Sequence, residues 1–197
     1  MAMGIDVFQA LEWGAVVMGV IYIYLLIQEN IWCWFFGIVS SVCFIFLMYN
    51  KQLYSESILY GFYVFVGFYG WFKWSKKDAD KVVISEASPK MIFGILLLGI
   101  ISSFAVGSFF DAKTDAARPF ADATTSVFSV LASFMEAYKW LSSWIFWIVI
   151  NFCSIWLYFD RALNISSMLM VIYFLLSIFG YMHWRKSMHD PEKLPIN

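Results

Sequence analysis

Trp144, Trp147 and Asn151 fall at i, i+3 and i+7 in the run WIFWIVIN, residues 144–151, within about 60° of one face of a helix. An indole face attracts a cation, gaining about 0.5–2 kcal/mol and more as water is excluded. An asparagine amide offers both a donor and an acceptor. Together these groups suit a flat, cationic, hydroxylated solute. Just upstream, Asp122, Thr125, Ser129, Ser133 and Glu136 stay within about 80° of each other at helical spacing, a polar stripe along a whole helix. Facing lipid, a central charge costs about 2.5–3.5 kcal/mol, so the stripe must face protein or a wet cavity. Its hydroxyls then join Trp147 and Asn151 as candidate substrate contacts.

Each residue also has a plainer use. Trp144 opens its segment and suits an aromatic belt at a membrane edge. Asn151 suits a hydrogen bond between helices as well as one to a ligand. Thr125 and Ser129 can bond the carbonyl of the preceding turn. Asp122 and Glu136 lie near segment ends, where snorkelling to water competes with ligand contact. Tyr63 and Tyr173 either line a path or pack in a core.

The elements that position these residues follow from composition. Of 197 residues 62% are hydrophobic, 21% aromatic and only 14% charged, against about a quarter charged in a soluble domain. The chain is an integral membrane protein of all-α class. Its formal charge of −1, with no basic block, argues against nucleic acid as a partner. Cys33, Cys43 and Cys153 sit in apolar runs at no metal or disulfide spacing. The start MAMGIDVFQALEW has neither the basic start nor the cleavage site of a signal peptide. Seven segments are long enough to span a bilayer, at about 17–25 residues each, near 10–27, 31–49, 54–74, 91–110, 121–139, 143–159 and 166–184. Polar stretches at 75–90 and 111–119 break the pattern, and the tail from Arg185 is polar.

Seven spans divide the loops into two sets. Lys73, Lys76, Lys77, Lys81, Lys90, Lys139, Arg185, Lys186 and Lys193 fall in one; Lys51, Lys113, Arg118 and Arg161 fall in the other. Nine cations against four put the 75–90 loop and the C-terminus in the cytoplasm and the N-terminus outside.

A shift of 110 residues superposes the chain on itself. Trp34 meets Trp144, Cys43 meets Cys153, Leu53 meets Leu163, Tyr63 meets Tyr173, Gly70 meets Gly180, Trp74 meets Trp184 and Lys76 meets Lys186. Residues 34–76 and 144–186 share 14 identities in 43 ungapped positions. Spans one to three therefore repeat as spans five to seven, with span four as a linker. Three plus one is even, so both copies enter the membrane the same way round. The expected architecture is two parallel three-helix bundles plus a linker helix: residues 1–74, then 75–120 holding the loops and helix four, then 121–184, with a tail at 185–197. Such repeats place a transport site near the midplane, between the halves.

A repeat informs most where it breaks. The first-half positions matching Trp144, Trp147 and Asn151 are Trp34, Gly37 and Ser41. The second copy has gained a ring and an amide on one face. Opposite the polar stripe stand Glu12, Ala15, Gly19, Ile23 and Leu26, mostly apolar. Gly70 and Gly180 read as close-packing positions, and Trp74 and Trp184 as interface anchors.

On these residues the chain resembles the PnuC-type vitamin transporters, the bacterial nicotinamide riboside transporters and their thiamine-transporting relatives. The first half carries NIWCWFFGIVSS and QLYSESILYGFYVFVGFYGW; the second carries PFADATTSVFSV, WIFWIVIN and GYMHW. The family's binding site has the pattern aromatic-x-x-Trp-x-x-x-Asn/Asp in its sixth span, met here by Trp144, Trp147 and Asn151. The resemblance implies a fold like a doubled sugar transporter of the SWEET type, in the bacterial cytoplasmic membrane, assembling as a homotrimer. It implies uptake of nicotinamide riboside, or alternatively thiamine, by facilitated diffusion without a cofactor, with a cytosolic kinase trapping the vitamin. The expected substrate contacts are Trp144, Trp147, Asn151, Thr125, Ser129, Tyr63 and Glu136. Nicotinamide riboside and thiamine are both cationic aromatics, so the tryptophan–asparagine face does not separate them.

No Walker motif is present, so ATP hydrolysis within the chain is not expected. An intramembrane enzyme would need a nucleophile beside a base, or a ligand set for a metal. The two histidines, His183 and His189, lie at the end of the last span and in the tail, far from the serines. A scaffold or receptor would not need a polar face present in only one copy of the repeat.

Overall fold

The computed structural model describes residues 2–50, 54–75, 83–114, 118–160 and 164–190, with side chains from residue 8, residue 56 and residue 167 onward in the first, second and last of these stretches. Seven helices run α1 (Ala2–Ile27), α2 (Trp32–Asn50), α3 (Tyr54–Ser75), α4 (Pro89–Lys113), α5 (Pro119–Ala137), α6 (Ser142–Asp160) and α7 (Asn164–Met188). In a bilayer every backbone donor and acceptor must be paired within the chain, and continuous helices do this. Of the cations that enter the charge count, Lys51, Lys76, Lys77, Lys81, Arg161 and Lys193 lie outside the described residues, as do Leu53 and Leu163 of the repeat.

Five stretches are long and apolar enough to cross a membrane: Phe8–Ile27, Trp32–Asn50, Pro89–Lys113, Ser142–Asp160 and Ser167–Met188. Helices α3 and α5 are not among them. The reason lies in their side chains. Helix α3 carries Glu56, Lys73 and a run of tyrosines and glycines, and α5 carries Asp122, Glu136 and several serines and threonines. Large rings such as Phe62, Phe104 and Phe159 are exposed, as expected where the solvent is lipid rather than water. The chain is a multi-pass membrane protein.

Local chemistry sets the helix ends. Ser88 caps α4, its hydroxyl accepting from Met91 N–H at 3.3 Å, with Pro89 in the first turn, where a missing N–H costs nothing. Pro119 opens α5 in the same way, with Asp122 in its first turn, facing the positive end of the helix dipole. The α1–α2 and α5–α6 turns each use one left-handed residue, Glu29 (φ 56°) and Lys139 (φ 51°). These two residues are 110 apart. Asn30 Oδ1 accepts from Trp32 N–H at 3.0 Å and so caps α2.

The chain divides into two compact units, Met1–Val82 and Val83–Asn197. In the first, α2 packs against α1 and α3. Ser40 donates to the Ala15 carbonyl at 2.8 Å and Ser57 to the Ile45 carbonyl at 3.1 Å. Trp34 is buried, edge-on to Trp74 at 5.5 Å and 88°, with Gly70 beneath its six-membered ring: a Cβ there would lie 2.5 Å from Trp34 Cζ2.

In the second unit, α6 packs against α5 and α7, and the same device returns. Trp144 meets Trp184 at 5.4 Å and 88°, a Cβ on Gly180 would lie 2.5 Å from Trp144 Cη2, and Ser167 donates to the Ile155 carbonyl at 3.1 Å. The 110-residue repeat thus holds at the level of individual contacts inside each unit. Helix α4 lies on α5, where Gly99 and Gly107 admit the rings of Phe128 and Phe120. Ser85 bridges to the α5–α6 turn, its N–H donating to the Lys139 carbonyl at 3.1 Å and its carbonyl accepting from Leu141 N–H at 2.9 Å. At the other end of α5, Arg118 Nε donates to Asp160 Oδ2 at 2.8 Å, and its guanidinium lies 4.9 Å from the centre of the Trp156 ring.

Overpacking a site already filled by a ring costs about 1–3 kcal/mol. Gly180→Ala is therefore expected to lower the thermal midpoint of the detergent-purified protein, and Trp144→Phe in the same chain to recover part of the loss. Gly94→Ala, where a Cβ meets nothing within 4 Å, should leave the midpoint unchanged or higher.

Candidate functional site

Helix α5 turns its polar stripe inward. Ser129, Ser133 and Glu136 are buried, Glu136 to 2% exposure, and Asp122 and Thr125 are half-buried. Glu136 therefore does not snorkel, despite its place in the last turn. Ala132 and Ala137 are fully buried on the same helix, so small residues let neighbours approach closely. Two hydroxyls spend their protons within the helix: Thr125 on the Ala121 and Asp122 carbonyls at 3.1 and 3.0 Å, and Ser133 on the Ser129 carbonyl at 3.0 Å. Toward a ligand these oxygens offer lone pairs only, which suits ligand groups that donate.

Helix α6 carries the three residues of the tryptophan–asparagine face, and they differ in kind. Trp144 is 2% exposed and fixed between Gly180 and Trp184. Its Nε1 is buried with no acceptor among the described residues, and the same is true of Trp34 Nε1 in the first unit. A feature present in both copies belongs to the scaffold. Trp147 has no such counterpart. Its position in the first unit is Gly37, over which the Tyr22 ring sits so closely that a Cβ would lie 2.9 Å from Tyr22 Cδ2. The residue matching Tyr22 is Ala132. Between the copies the ring has moved from the outer helix to α6. Trp147 Nε1 is buried and likewise has no acceptor among the described residues; such a donor costs about 1–3 kcal/mol until something accepts from it.

Asn151, 5% exposed, donates through Nδ2 to Ser177 Oγ on α7 at 3.1 Å. Ser177 in turn donates to the Tyr173 carbonyl at 2.8 Å. Asn151 thus does bond between helices. Ser177 was not among the residues expected to matter, although the repeat holds its signal: Asn151 stands opposite Ser41 and Ser177 opposite Gly67, so both partners are new in the second copy. Tyr63 belongs to the first unit, where it meets Tyr60 edge-on at 5.8 Å, and Tyr60 stacks on Phe44 at 4.8 Å. His183 and His189 are exposed on and just beyond α7, His189 Nδ1 lying 2.8 Å from the Arg185 carbonyl. Within the second unit, then, α5 supplies buried lone pairs and a carboxylate, and α6 supplies an unspent indole N–H and an amide.

Known proteins resemble this chain along most of its length. The family model described as nicotinamide mononucleotide transporter matches residues 9–186. The nicotinamide riboside transporter PnuC of Escherichia coli strain K12 is 21% identical over 200 residues, covering 87% of this chain and 83% of its own. PnuC of Neisseria mucosa is 26% identical over 185 residues, covering 87% and 70%. A crystal structure of the vitamin B3 transporter PnuC aligns with a TM-score of 0.71 at 23% identity, over 90% of this chain and 81% of that one. That likeness shows the fold.

The two tryptophans should separate experimentally. Trp144→Phe removes bulk from a filled pocket and is expected to lower the unfolding temperature. Trp147→Phe keeps a ring but deletes the unspent N–H; it should leave the unfolding temperature within a few degrees and weaken substrate binding about tenfold, the worth of one hydrogen bond made on binding. Thermal unfolding and calorimetric titration of the same preparations read both.

Proposed function

The chain belongs to the nicotinamide mononucleotide transporter family, and on that footing we propose that it imports nicotinamide riboside by facilitated diffusion, a cytosolic kinase trapping the vitamin by phosphorylation. The observation that carries this reading is the pair gained only in the second repeat: Trp147, with its unspent buried N–H, and Asn151. A pyridinium ring suits an indole face, and a carboxamide and ribose hydroxyls suit an amide, serine lone pairs and an indole donor. The buried carboxylate of Glu136 favours a permanent cation. Thr125, Ser129 and Tyr63 complete the proposed set of substrate contacts, and Trp144, packed on Gly180 and Trp184, is proposed to back the Trp147 face from the scaffold. The curated relatives are named as nicotinamide riboside transporters, which supports this substrate over thiamine.

The rest of the proposal is supported by the repeat for the bundles, by the cation count for the orientation, and by the family resemblance for the assembly and the membrane. All seven helices span, α3 and α5 included, as two parallel bundles joined by α4, in a homotrimer in the bacterial cytoplasmic membrane with the C-terminus inside. Relatives named as transporters, and a site built from an amide and an indole donor, support a carrier rather than an enzyme. Facilitated diffusion rests on chemistry: α5 supplies only Asp122 and Glu136 as carboxylates, and proton-coupled carriers commonly run on chains of such groups.

Titration of the purified protein with nicotinamide riboside and thiamine side by side should give binding for the riboside at least about tenfold tighter, a gap of about 1.4 kcal/mol. Proteoliposomes should equilibrate the riboside and gain nothing from an imposed proton gradient. Tighter binding of thiamine would reassign the substrate, and gradient-driven accumulation would sink facilitated diffusion.

A further inference from the structure

The bond between Asn151 and Ser177 fixes more than helix spacing. A serine hydroxyl has one proton and two lone pairs. The Tyr173 carbonyl, 2.8 Å from Ser177 Oγ, can only accept, so it takes that proton. What Ser177 offers Asn151 is therefore a lone pair, and the end of the amide turned toward it, at 3.1 Å, must be the NH2 group. The assignment follows from counting protons, without any choice between amide oxygen and nitrogen at Asn151. Left to itself an asparagine presents either end to a ligand. Here, among the described residues, the NH2 end is held against Ser177 by one of its two protons, and the end turned away from Ser177 is the carbonyl oxygen.

We infer that Ser177 is a positioning residue that locks the Asn151 amide with its carbonyl toward the substrate, so that the group recognised there is an N–H donor. This rests on the proposed transport function and deepens it. The class of ligand group is a neutral carboxamide or an amino-substituted heterocycle. A carboxylate or ring carbonyl at that place would set acceptor against acceptor. The serine lone pairs of α5 push the same way, since Thr125 and Ser133 have also spent their protons on the backbone. The first repeat cannot build the lock: Gly67, opposite Ser177, has no side chain, and Ser41, opposite Asn151, has no amide. Both halves of the device are present in the second copy and absent from the first.

Two ligand pairs differ in this one group. Nicotinamide riboside carries an amide NH2 where nicotinic acid riboside has a carboxylate; thiamine carries an amino group where oxythiamine has a carbonyl. The experiment is calorimetric titration of full-length protein in detergent with all four, for the native chain and for Ser177→Ala and Ser177→Thr, each checked for monodispersity. The native chain should prefer the donor-bearing member of whichever pair it binds. In Ser177→Ala the amide is free to turn, so that preference should shrink about tenfold, the scale of one hydrogen bond, by loss of affinity for the donor and gain for the acceptor. Ser177→Thr keeps the hydroxyl and should hold the native ratio within about twofold. Equal loss of affinity for both members in Ser177→Ala, or a ratio that does not move, would show a merely structural bond and overturn the lock while leaving the transport function standing. Failure of the native chain to bind any of the four would overturn the transport function and the lock with it.

Discussion

Two indoles, each laid over a glycine, hold this molecule's helices in register. In lipid the hydrophobic effect does not draw one apolar helix to another, and association depends on close packing and a few interhelical hydrogen bonds. A ring resting directly on a backbone gains the most contact for the least area, and it fits one way only. Gly70 and Gly180 provide the bare backbone, Trp34 and Trp144 the rings, and Trp74 and Trp184 close each ring edge-on. Edge-to-face pairs add about 0.5–1.5 kcal/mol beyond their buried area. Because this lock involves the second and third helices of each copy, it sets the axial position of α6 against α7. That in turn brings Asn151 within hydrogen-bond distance of Ser177.

The duplicated frame explains how a polar site can be carried at little cost to the fold. What both copies share, from the left-handed turn residues to the serines bonded across to a neighbouring carbonyl, bears the packing. Where the two copies differ in polar or ring-bearing groups at the site, the change is compensated nearby. The indole gained at Trp147 is offset by alanine in place of tyrosine at Ala132, so bulk is moved rather than added. The amide gained at Asn151 comes with a hydroxyl at Ser177, so one of its donors is paired from the outset. The unspent N–H of Trp147 is the part left uncompensated. A buried donor left open in this way is available to an acceptor on a bound solute.

Much of this was legible in the sequence because a 110-residue shift reports which positions serve the scaffold. Gly70 and Gly180 read as packing positions from the sequence, and the pairing of Trp34 with Trp144 is visible there although their burial is not; the helix ranges follow from hydropathy to within a few residues, save at α1, which begins well before residue 10. Other features were not legible, for physical reasons. That Ser177 matters depends on which way the faces of α6 and α7 turn, and a serine among glycines and tyrosines carries no mark of its own. The burial of Glu136 in the last turn of α5 ran against the expectation that an end-placed carboxylate reaches water. The bridge from Ser85 to the α5–α6 turn pairs backbone groups, which side-chain patterns do not encode. Nor does periodicity tell that α4 lies on α5, since its small-residue stripe of Gly99, Ser103 and Gly107 would fit any partner with rings to insert.

Proton counting gives the clearest account of what the second unit can recognise. Each hydroxyl that bonds back to its own helix removes a donor and leaves an acceptor; Thr125, Ser133 and Ser177 all do so. With one Asn151 N–H committed to Ser177 and a carboxylate at Glu136, these groups offer mainly lone pairs, and the indole N–H of Trp147 is the donor gained with the second copy. An environment rich in lone pairs repels anions and prefers ligands that are positively charged and bear N–H or O–H groups. A ligand group that carries negative charge meets lone pairs there, so the same groups that set the hydrogen-bonding sense also set the sign of charge preferred.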